Sequence, residues 1–144
     1  METAYIKTPL GTAKITGDDK GIASISILED EQITKKIPTV LKEAVNQLQD
    51  YFNGKRTHFD FKLNPQGTEF QQKVWHTLQE IPFGKTVSYM DITKKLGDVK
   101  AIRAVASANG KNPLWIVVPC HRVIGTDGSL TGYAGGLWRK KWLL

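Results

Sequence analysis

The chain has 144 residues, 40% of them hydrophobic, enough for an ordinary core in one domain or in two small ones. No run approaches the roughly 20 apolar residues of a membrane span, and the N-terminus lacks the pattern of a signal peptide. A single cysteine excludes an internal disulfide and cannot by itself supply the ligands of a zinc site. We therefore expect a protein without structural metal that stays in the cytoplasm, or enters the nucleus in a eukaryote.

The net charge of +6 is confined to the second part of the chain. Residues 1–65 carry nine Lys/Arg and nine Asp/Glu, whereas residues 66–144 carry eleven and five. An acidic partner is expected to dock on the basic part, and nucleic acid is the usual one because phosphate neutralisation releases counterions. Excess lysine that only aids solubility would explain the same charge.

The first part of the chain is predicted to contain three strands and a helix. Turn-forming segments rich in Pro, Gly and Asp separate the strands, which are Tyr5–Thr8, Ala13–Thr16 and Ile22–Leu28. The helix follows Pro38, carries apolar residues at helical spacing, and ends at Asn53-Gly54.

A domain boundary is predicted shortly after this helix. His58–Leu63 alternates apolar and polar residues like a short strand, and Asn64-Pro65-Gln66-Gly67 then breaks the pattern. We therefore expect one domain over residues 1–65 and another over residues 66–144.

The second part opens with a predicted helix over residues 68–80. Thr68 and Gln71 form a capping-box pair at its start, and Phe70, Val74, Leu78 and Ile81 are predicted to form its apolar face. Pro82-Phe83-Gly84 stops the pattern.

Two further helices are predicted close together. Ser88 and Asp91 repeat the capping signal before a short helix that ends at Gly97, and the next helix runs from near Asp98 to Asn109-Gly110. This helix-turn-helix arrangement would let the second helix enter a DNA groove. Many such helix pairs only pack a core.

The second helix of this pair is predicted to expose one long cation among small side chains, namely Arg103 among Ala101, Ala104, Ser107 and Ala108. Small residues would let the helix backbone come close to a duplex. The alternative is that alanine is present simply because it is the best helix former.

Cys120 follows the apolar run Leu114–Val118, which predicts a strand buried on both faces that ends at a polar cluster. Active sites favour such ends, although lone cysteines in the cytosol are usually inert. A free thiol has a pKa of about 8.5, and His121 or Arg122 nearby would raise its thiolate fraction. Adjacent side chains of an extended chain face opposite ways, so His121 reaches Cys120 only if the backbone turns after Pro119 or a water intervenes.

Five motifs in order resemble the O6-alkylguanine-DNA alkyltransferases. They are Val87-Ser88-Tyr89, Arg103-Ala104-Val105, Asn112-Pro113, Pro119-Cys120-His121-Arg122-Val123-Ile124-Gly125 and Tyr133-Ala134-Gly135-Gly136-Leu137. The first half resembles the family more loosely, at Pro9-Leu10-Gly11-Thr12 and Phe52-Asn53-Gly54. The resemblance implies an α/β (α+β) protein with a ribonuclease-H-like N-terminal domain and a winged helix-turn-helix C-terminal domain that contains the cysteine.

The resemblance also implies direct-reversal DNA repair. The alkyl group of O6-alkylguanine, with O4-alkylthymine as a second candidate, would move irreversibly from a base flipped out of double-stranded DNA to Cys120. No cofactor is needed, and each molecule would act once as a monomer, away from membranes.

Roles for individual residues follow from the same resemblance. His121 would deprotonate Cys120 through a bound water. Asn112 would brace the turn that joins the second helix of the pair to the strand before Cys120. Tyr89 would press on a phosphate and donate a hydrogen bond to the departing guanine, while Arg103 would fill the space left in the duplex. The remaining expected site residues are Ala104, Ser107 and Arg122 at the DNA surface, and Val123, Tyr133, Ala134 and Trp115 around the base.

The sequence departs from the family pattern at two places. Family members continue past the Trp-Leu-Leu segment to a glutamate that orients the histidine, whereas this sequence ends at Leu144. Either the terminus is truncated or this relay is incomplete, and in the second case His121 would be a poorer base. Position 134 is Ala where some members carry serine, so a base contact there would come from the backbone.

Three other functions compete with alkyl transfer. A non-catalytic sensor of alkylated DNA would resemble the alkyltransferase-like relatives, but those lack the cysteine. A Cys-His hydrolase would turn over without DNA. A winged-helix DNA-binding protein with an inert thiol would bind a sequence regardless of lesions.

Overall fold

The computed structural model describes residues 1–29, 32–125, 140 and 142–143, and the chain forms two compact units. The first unit comprises Met1–Gln66 and Pro113–Trp115, and the second comprises Gly67–Asn112 and Ile116–Leu144. None of the helices in the described residues has the length and apolar character required to cross a membrane.

The first unit is built on an antiparallel sheet of three strands in the order β1-β2-β3, which are β1 (Glu2–Thr8), β2 (Gly11–Asp18) and β3 (Gly21–Leu28). Alternate residues such as Ala4, Ile15 and Ile25 are buried, as period-2 patterning requires. The Thr8 hydroxyl closes the first turn by donating to the Gly11 carbonyl over 2.8 Å. The three predicted strands are confirmed, and each is at least as long as predicted.

A helix packs its apolar side into the first unit. A 3₁₀ turn at Thr39–Leu41 follows Pro38 and leads into α1 (Lys42–Phe52). Its buried side chains recur every three or four residues, at Leu41, Ala44, Val45, Leu48 and Tyr51. Gly54, at φ 74°, takes the left-handed conformation that commonly follows a helix end. The predicted helix and its end at Asn53-Gly54 are confirmed.

The strand predicted over His58–Leu63 is wrong. Only Leu63 forms a bridge, with Ile22, and the other residues are irregular. The alternation is nevertheless expressed in burial, because Phe59 stacks on Tyr51 with ring centroids 5.1 Å apart. Aromatic packing against α1 therefore produces a period-2 pattern in a segment that hydrogen-bonds to β3 only around Leu63.

The second unit is mainly helical. Its elements are α2 (Glu69–Leu78), β4 (Val87–Ser88), α3 (Tyr89–Lys95), a 3₁₀ turn at Val99–Ala101, α4 (Ile102–Gly110), a 3₁₀ turn at Cys120–Arg122 and β5 (Val123–Ile124). Both predicted capping boxes are present, at Thr68 with Gln71 and at Ser88 with Asp91. Gly97, at φ 91°, follows α3, so the predicted helix, turn and helix are confirmed. On α2, Phe70 is 37% exposed, so the apolar face predicted for it begins at Val74.

The strand predicted over Leu114–Val118 is also wrong, although all five residues are buried as expected. Leu114 alone pairs with the sheet, through a bridge to Ile25. The chain then turns, because Ile116 has φ 70°, a conformation that a β-branched residue rarely adopts. A short apolar run indicates burial but cannot distinguish a central strand from a buried turn.

Trp75 of α2 holds the end of α4. Its indole Nε1–H donates to the Ala108 carbonyl over 2.9 Å, and the side chain is 2% exposed. The Lys111 N–H also donates to this carbonyl, over 3.2 Å, so the indole supplies a second hydrogen bond to a group at the end of the helix. The buried apolar residues of α2, α3 and α4 include Val74, Leu78, Ile92 and Val105.

We predict that Trp75→Phe destabilises the protein by about 1–1.5 kcal/mol more than Trp115→Phe, because only the first substitution removes a hydrogen bond. Trp115 is similarly buried at 6%, but its Nε1 has no partner among the described residues. Urea unfolding followed by far-UV circular dichroism measures both values. Equal losses would show that the bond to Ala108 contributes nothing net.

Candidate active site around Cys120

Cys120 lies in a tight backbone turn. The Cys120 N–H donates to the Val118 carbonyl over 2.8 Å across Pro119, which has φ −80° and ψ 62°. The Arg122 N–H then donates to the Pro119 carbonyl over 3.0 Å and starts the 3₁₀ turn at Cys120–Arg122. The φ and ψ angles of Pro119, with the hydrogen bond across it, are those of an inverse γ-turn. The backbone therefore turns after Pro119, which is one of the two conditions under which His121 can reach Cys120.

A short parallel pairing joins this turn to the start of α3. Val123 of β5 pairs with Val87 of β4, and Ile124 pairs with Ser88. The pairing joins the strand that leads into Tyr89 to the strand that follows Cys120–Arg122, and because it is parallel the Tyr89 and Cys120 segments extend from opposite ends of the pair. Val123 is 1% exposed, so this junction is in the core.

The Asn112 side chain closes the loop that precedes Cys120. Its Nδ2 donates to the Val118 carbonyl over 2.7 Å. The same amide hydrogen-bonds to the Cys120 thiol. One side chain therefore fixes both the backbone before the turn and the sulfur.

The Cys120 thiol is 7% exposed, and burial raises its pKa above the ordinary value. Three influences oppose that rise without cancelling it: the hydrogen bond to Asn112, the charge of Lys140, and the backbone N–H groups of Cys120 and His121. Lys140 is fully buried, and burial lowers its own pKa while Cys120 raises it. At neutral pH the resting sulfur is therefore a thiol, with groups around it that stabilise a thiolate.

His121 is fully buried, and its pKa is lowered to about 3 by burial and by the charges of Arg122 and Lys140. Neither ring nitrogen has a hydrogen-bond partner within the described residues. The ring is therefore a neutral imidazole at physiological pH. The group of His121 that stabilises the Cys120 thiolate is its backbone N–H.

Arg122 does not lie where DNA could contact it, contrary to the role expected from the sequence. It is 8% exposed, and its Nη1 donates to the Ile81 carbonyl over 2.8 Å. Its Cζ lies 5.7 Å from the centroid of the Phe83 ring, a cation–π distance. The guanidinium instead ties the Cys120–Arg122 turn to the segment that follows α2.

Tyr89 is positioned from both ends. The Thr93 hydroxyl donates to its backbone carbonyl over 2.7 Å, and Asn109 Nδ2 donates to its hydroxyl oxygen over 3.5 Å. Asn109 is 2% exposed on the last turn of α4. In the sequence, Asn109 indicates only a helix stop, because a polar residue beside Gly110 is typical of a helix end.

The exposed face of α4 carries Arg103, Ala104 and Ser107, as predicted. Ala108 is buried at 2%, which corrects its assignment to this face. Position 108 follows Val105 by three residues, so both lie on the side of the helix that faces the core.

The residues expected around a flipped base are only partly described. Val123 lies in β5, next to the Cys120–Arg122 turn, whereas Tyr133 and Ala134 lie outside the described residues. Trp115 belongs to the first unit, where its ring centroid is 6.1 Å from that of Phe52, so its contacts give the expected pocket role no support. Within the described ranges, no group of three His, Cys, Asp or Glu side chains could hold a metal ion.

His121 should make the protein less stable in mild acid. The unfolded chain takes up a proton near pH 6.5, whereas the folded ring resists it down to about pH 3, so stability is present above 6.5 and falls as the pH drops through this window. Between about pH 7.5 and about pH 5 the free energy of unfolding should fall by about 2 kcal/mol, and this fall should be absent in His121→Gln. Urea midpoints at both pH values measure it. His76→Gln, at an exposed histidine of α2, is the control that should keep the wild-type loss.

Comparisons with known proteins cover both units. The 6-O-methylguanine DNA methyltransferase ribonuclease-like domain matches residues 1–65, and the DNA-binding domain of the same name matches residues 69–144. A methylated-DNA–protein-cysteine methyltransferase of Methanosarcina mazei is 49% identical over 96% of this chain and 92% of the relative. The Mycobacterium tuberculosis OGT in complex with DNA has a TM-score of 0.91 at 44% identity, covering 100% of this chain and 91% of that one. An O6-methylguanine DNA methyltransferase of Methanococcus jannaschii has a TM-score of 0.70 at 30% identity, covering 97% and 90%. The chain belongs to the 6-O-methylguanine DNA methyltransferase family, with its ribonuclease-like domain followed by its DNA-binding domain.

Proposed function

We propose that this protein repairs double-stranded DNA by accepting the alkyl group of O6-alkylguanine on Cys120. The proposal rests on the groups that surround the Cys120 sulfur. In a chain that matches both domains of the methyltransferase family, the one cysteine sits in a tight turn with Asn112, Lys140 and two backbone N–H groups acting on it.

The transfer is a displacement at the alkyl carbon. The Cys120 sulfur forms a bond to that carbon while the bond from carbon to guanine O6 breaks, and the electron pair leaves with the guanine. The thiol proton is released and the guanine gains one, so charge and atoms balance. A thioether has no hydrolytic route back, and each molecule therefore acts once.

Activation of the sulfur requires loss of its proton during the reaction, because the resting pKa is raised. We assign His121 as the base that takes this proton through a bound water. The resting imidazole, whose pKa is lowered to about 3, is a weak base for this thiol, so it takes the proton only as the bond from sulfur to carbon forms and makes the thiol more acidic. Asn112 and Lys140 stabilise the sulfur charge that develops.

The exposed face of α4 is the proposed surface for DNA. Ala104 and Ser107 are short enough to let the helix approach the duplex, and Arg103 projects from the same face. The target carbon is shielded by base stacking, so the guanine must leave the helix at a cost of a few kcal/mol. Arg103 offsets part of that cost by occupying the gap.

A second candidate is DNA binding with an inert thiol, either as a lesion sensor or as a site-specific binder. The observation that favours it is the burial of Cys120 with a raised pKa, a state shared by unreactive structural cysteines. The two candidates differ in whether the protein mass changes on contact with a lesion.

Incubation with a duplex that contains one O6-methylguanine should add one methyl group to the protein, located at Cys120 by peptide mass spectrometry. Cys120→Ala should gain nothing and should still bind the duplex. The same duplex with unmodified guanine is the control. An unmodified wild-type protein that binds the methylated duplex preferentially would instead establish a sensor.

Arg103→Ala should slow methyl transfer from duplex DNA by about tenfold or more, since tenfold corresponds to about 1.4 kcal/mol of the flipping cost. Transfer from free O6-benzylguanine needs no flipping and should keep its wild-type rate. Lys42→Ala, which removes an exposed charge from α1 of the first unit, is the charge-matched control. Equal slowing on duplex and free base would refute the role of Arg103.

A further inference from the structure

The side-chain amide of Asn109 is buried, and its nitrogen and oxygen atoms differ in their hydrogen bonding. Its Nδ2 donates to the Tyr89 hydroxyl oxygen over 3.5 Å, while its Oδ1 has no partner among the described residues. The residue is 2% exposed at the end of α4. Tyr89 therefore receives a hydrogen bond from a helix other than its own.

Packing alone does not account for an amide in this position. A buried acceptor without a partner costs about 1–3 kcal/mol, which an apolar residue of the same size would avoid. Backbone hydrogen bonds at the end of α4 use the Asn109 carbonyl and not its side chain. The described side-chain contact that remains is the bond to Tyr89.

The direction of this bond has two chemical consequences. Because the Tyr89 oxygen accepts a hydrogen from Asn109, its own hydrogen must point away from Asn109. The bond also stabilises negative charge on that oxygen when the hydroxyl gives up its proton. Both effects suit a hydroxyl that donates to a departing group.

We propose that Asn109 is a positioning residue that orients the Tyr89 hydroxyl toward the guanine that leaves during alkyl transfer. This inference rests on the proposed function and deepens it. As the bond from carbon to O6 breaks, the electron pair moves into the guanine, and the Tyr89 hydroxyl supplies a proton to it. The Asn109 N–H holds the resulting charge on the Tyr89 oxygen until the proton released by Cys120 restores the hydroxyl.

Asn109→Leu removes the amide at similar volume and tests this directly. The single-turnover rate of methyl transfer at saturating O6-methylguanine duplex should fall about tenfold, the effect of losing a hydrogen bond to a developing charge. The dissociation constant for the duplex should not change. Asn109→Ala is the second variant, because alanine suits a helix well. It should also slow methyl transfer without changing the dissociation constant for the duplex.

Alkylation of Cys120 by iodoacetamide separates this role from a structural one. Iodide needs no proton to leave, so both Asn109 variants should react with iodoacetamide at the wild-type rate. A fall as large as that seen with the duplex would mean that Asn109 only supports the fold or the thiol, and would overturn the proposal.

A double-mutant cycle tests whether Asn109 acts through Tyr89. Tyr89→Phe should itself slow transfer, and Asn109→Leu should add no further slowing in that background. Independent effects that multiply would overturn the proposal. Gln47→Leu is the matched control, because it removes another buried amide, bonded to Glu43 and Asp60 in the first unit, and should leave the transfer rate unchanged.

The outcomes for the wild type separate the two hypotheses. A wild-type protein that gains no methyl from the duplex overturns the proposed function together with this inference. A wild-type protein that reacts, with Asn109→Leu reacting equally fast, overturns the role of Asn109 alone.

Discussion

The hydrogen bond from the Asn112 side chain to the Val118 carbonyl is the contact on which the surroundings of Cys120 depend. It closes a loop that contains Ile116 at φ 70°, a backbone conformation that costs on the order of 1–3 kcal/mol unless neighbouring contacts hold it. Once the loop is closed, the turn at Pro119 follows, and the Cys120 sulfur faces the same amide. Loss of this amide would release both the loop and a partner of the sulfur.

Burial and reactivity oppose each other at Cys120. Removal from water raises the pKa of the thiol and keeps it neutral, and a neutral buried thiol resists oxidation and stray electrophiles. Asn112, Lys140 and two backbone N–H groups then stabilise the charged form only as it develops. Such an arrangement suits a protein that reacts once, because the thiol must survive until it meets its substrate.

Among the described residues of the second unit, three buried polar side chains connect functional elements. Arg122 ties the Cys120–Arg122 turn to the Ile81 carbonyl, Trp75 ties α2 to the end of α4, and Asn109 ties α4 to Tyr89. Each of these side chains is buried, so each bond is made in an environment where an unpaired partner would be costly. A substitution on any of them is therefore transmitted to the turn or to the helix that it joins.

The amino-acid sequence by itself determined the local elements and the location of the chemistry. Turn residues, capping boxes and periodicity placed three strands and four helices, and the motif around Cys120 indicated the candidate nucleophile, because these signals act between residues close in sequence. Tertiary structure decided that Leu114–Val118 is a buried turn, that Arg122 points inward, and that Asn109 reaches Tyr89. Those outcomes depend on partners 20 to 41 residues away, or on a loop held by Asn112, and no local pattern encodes them.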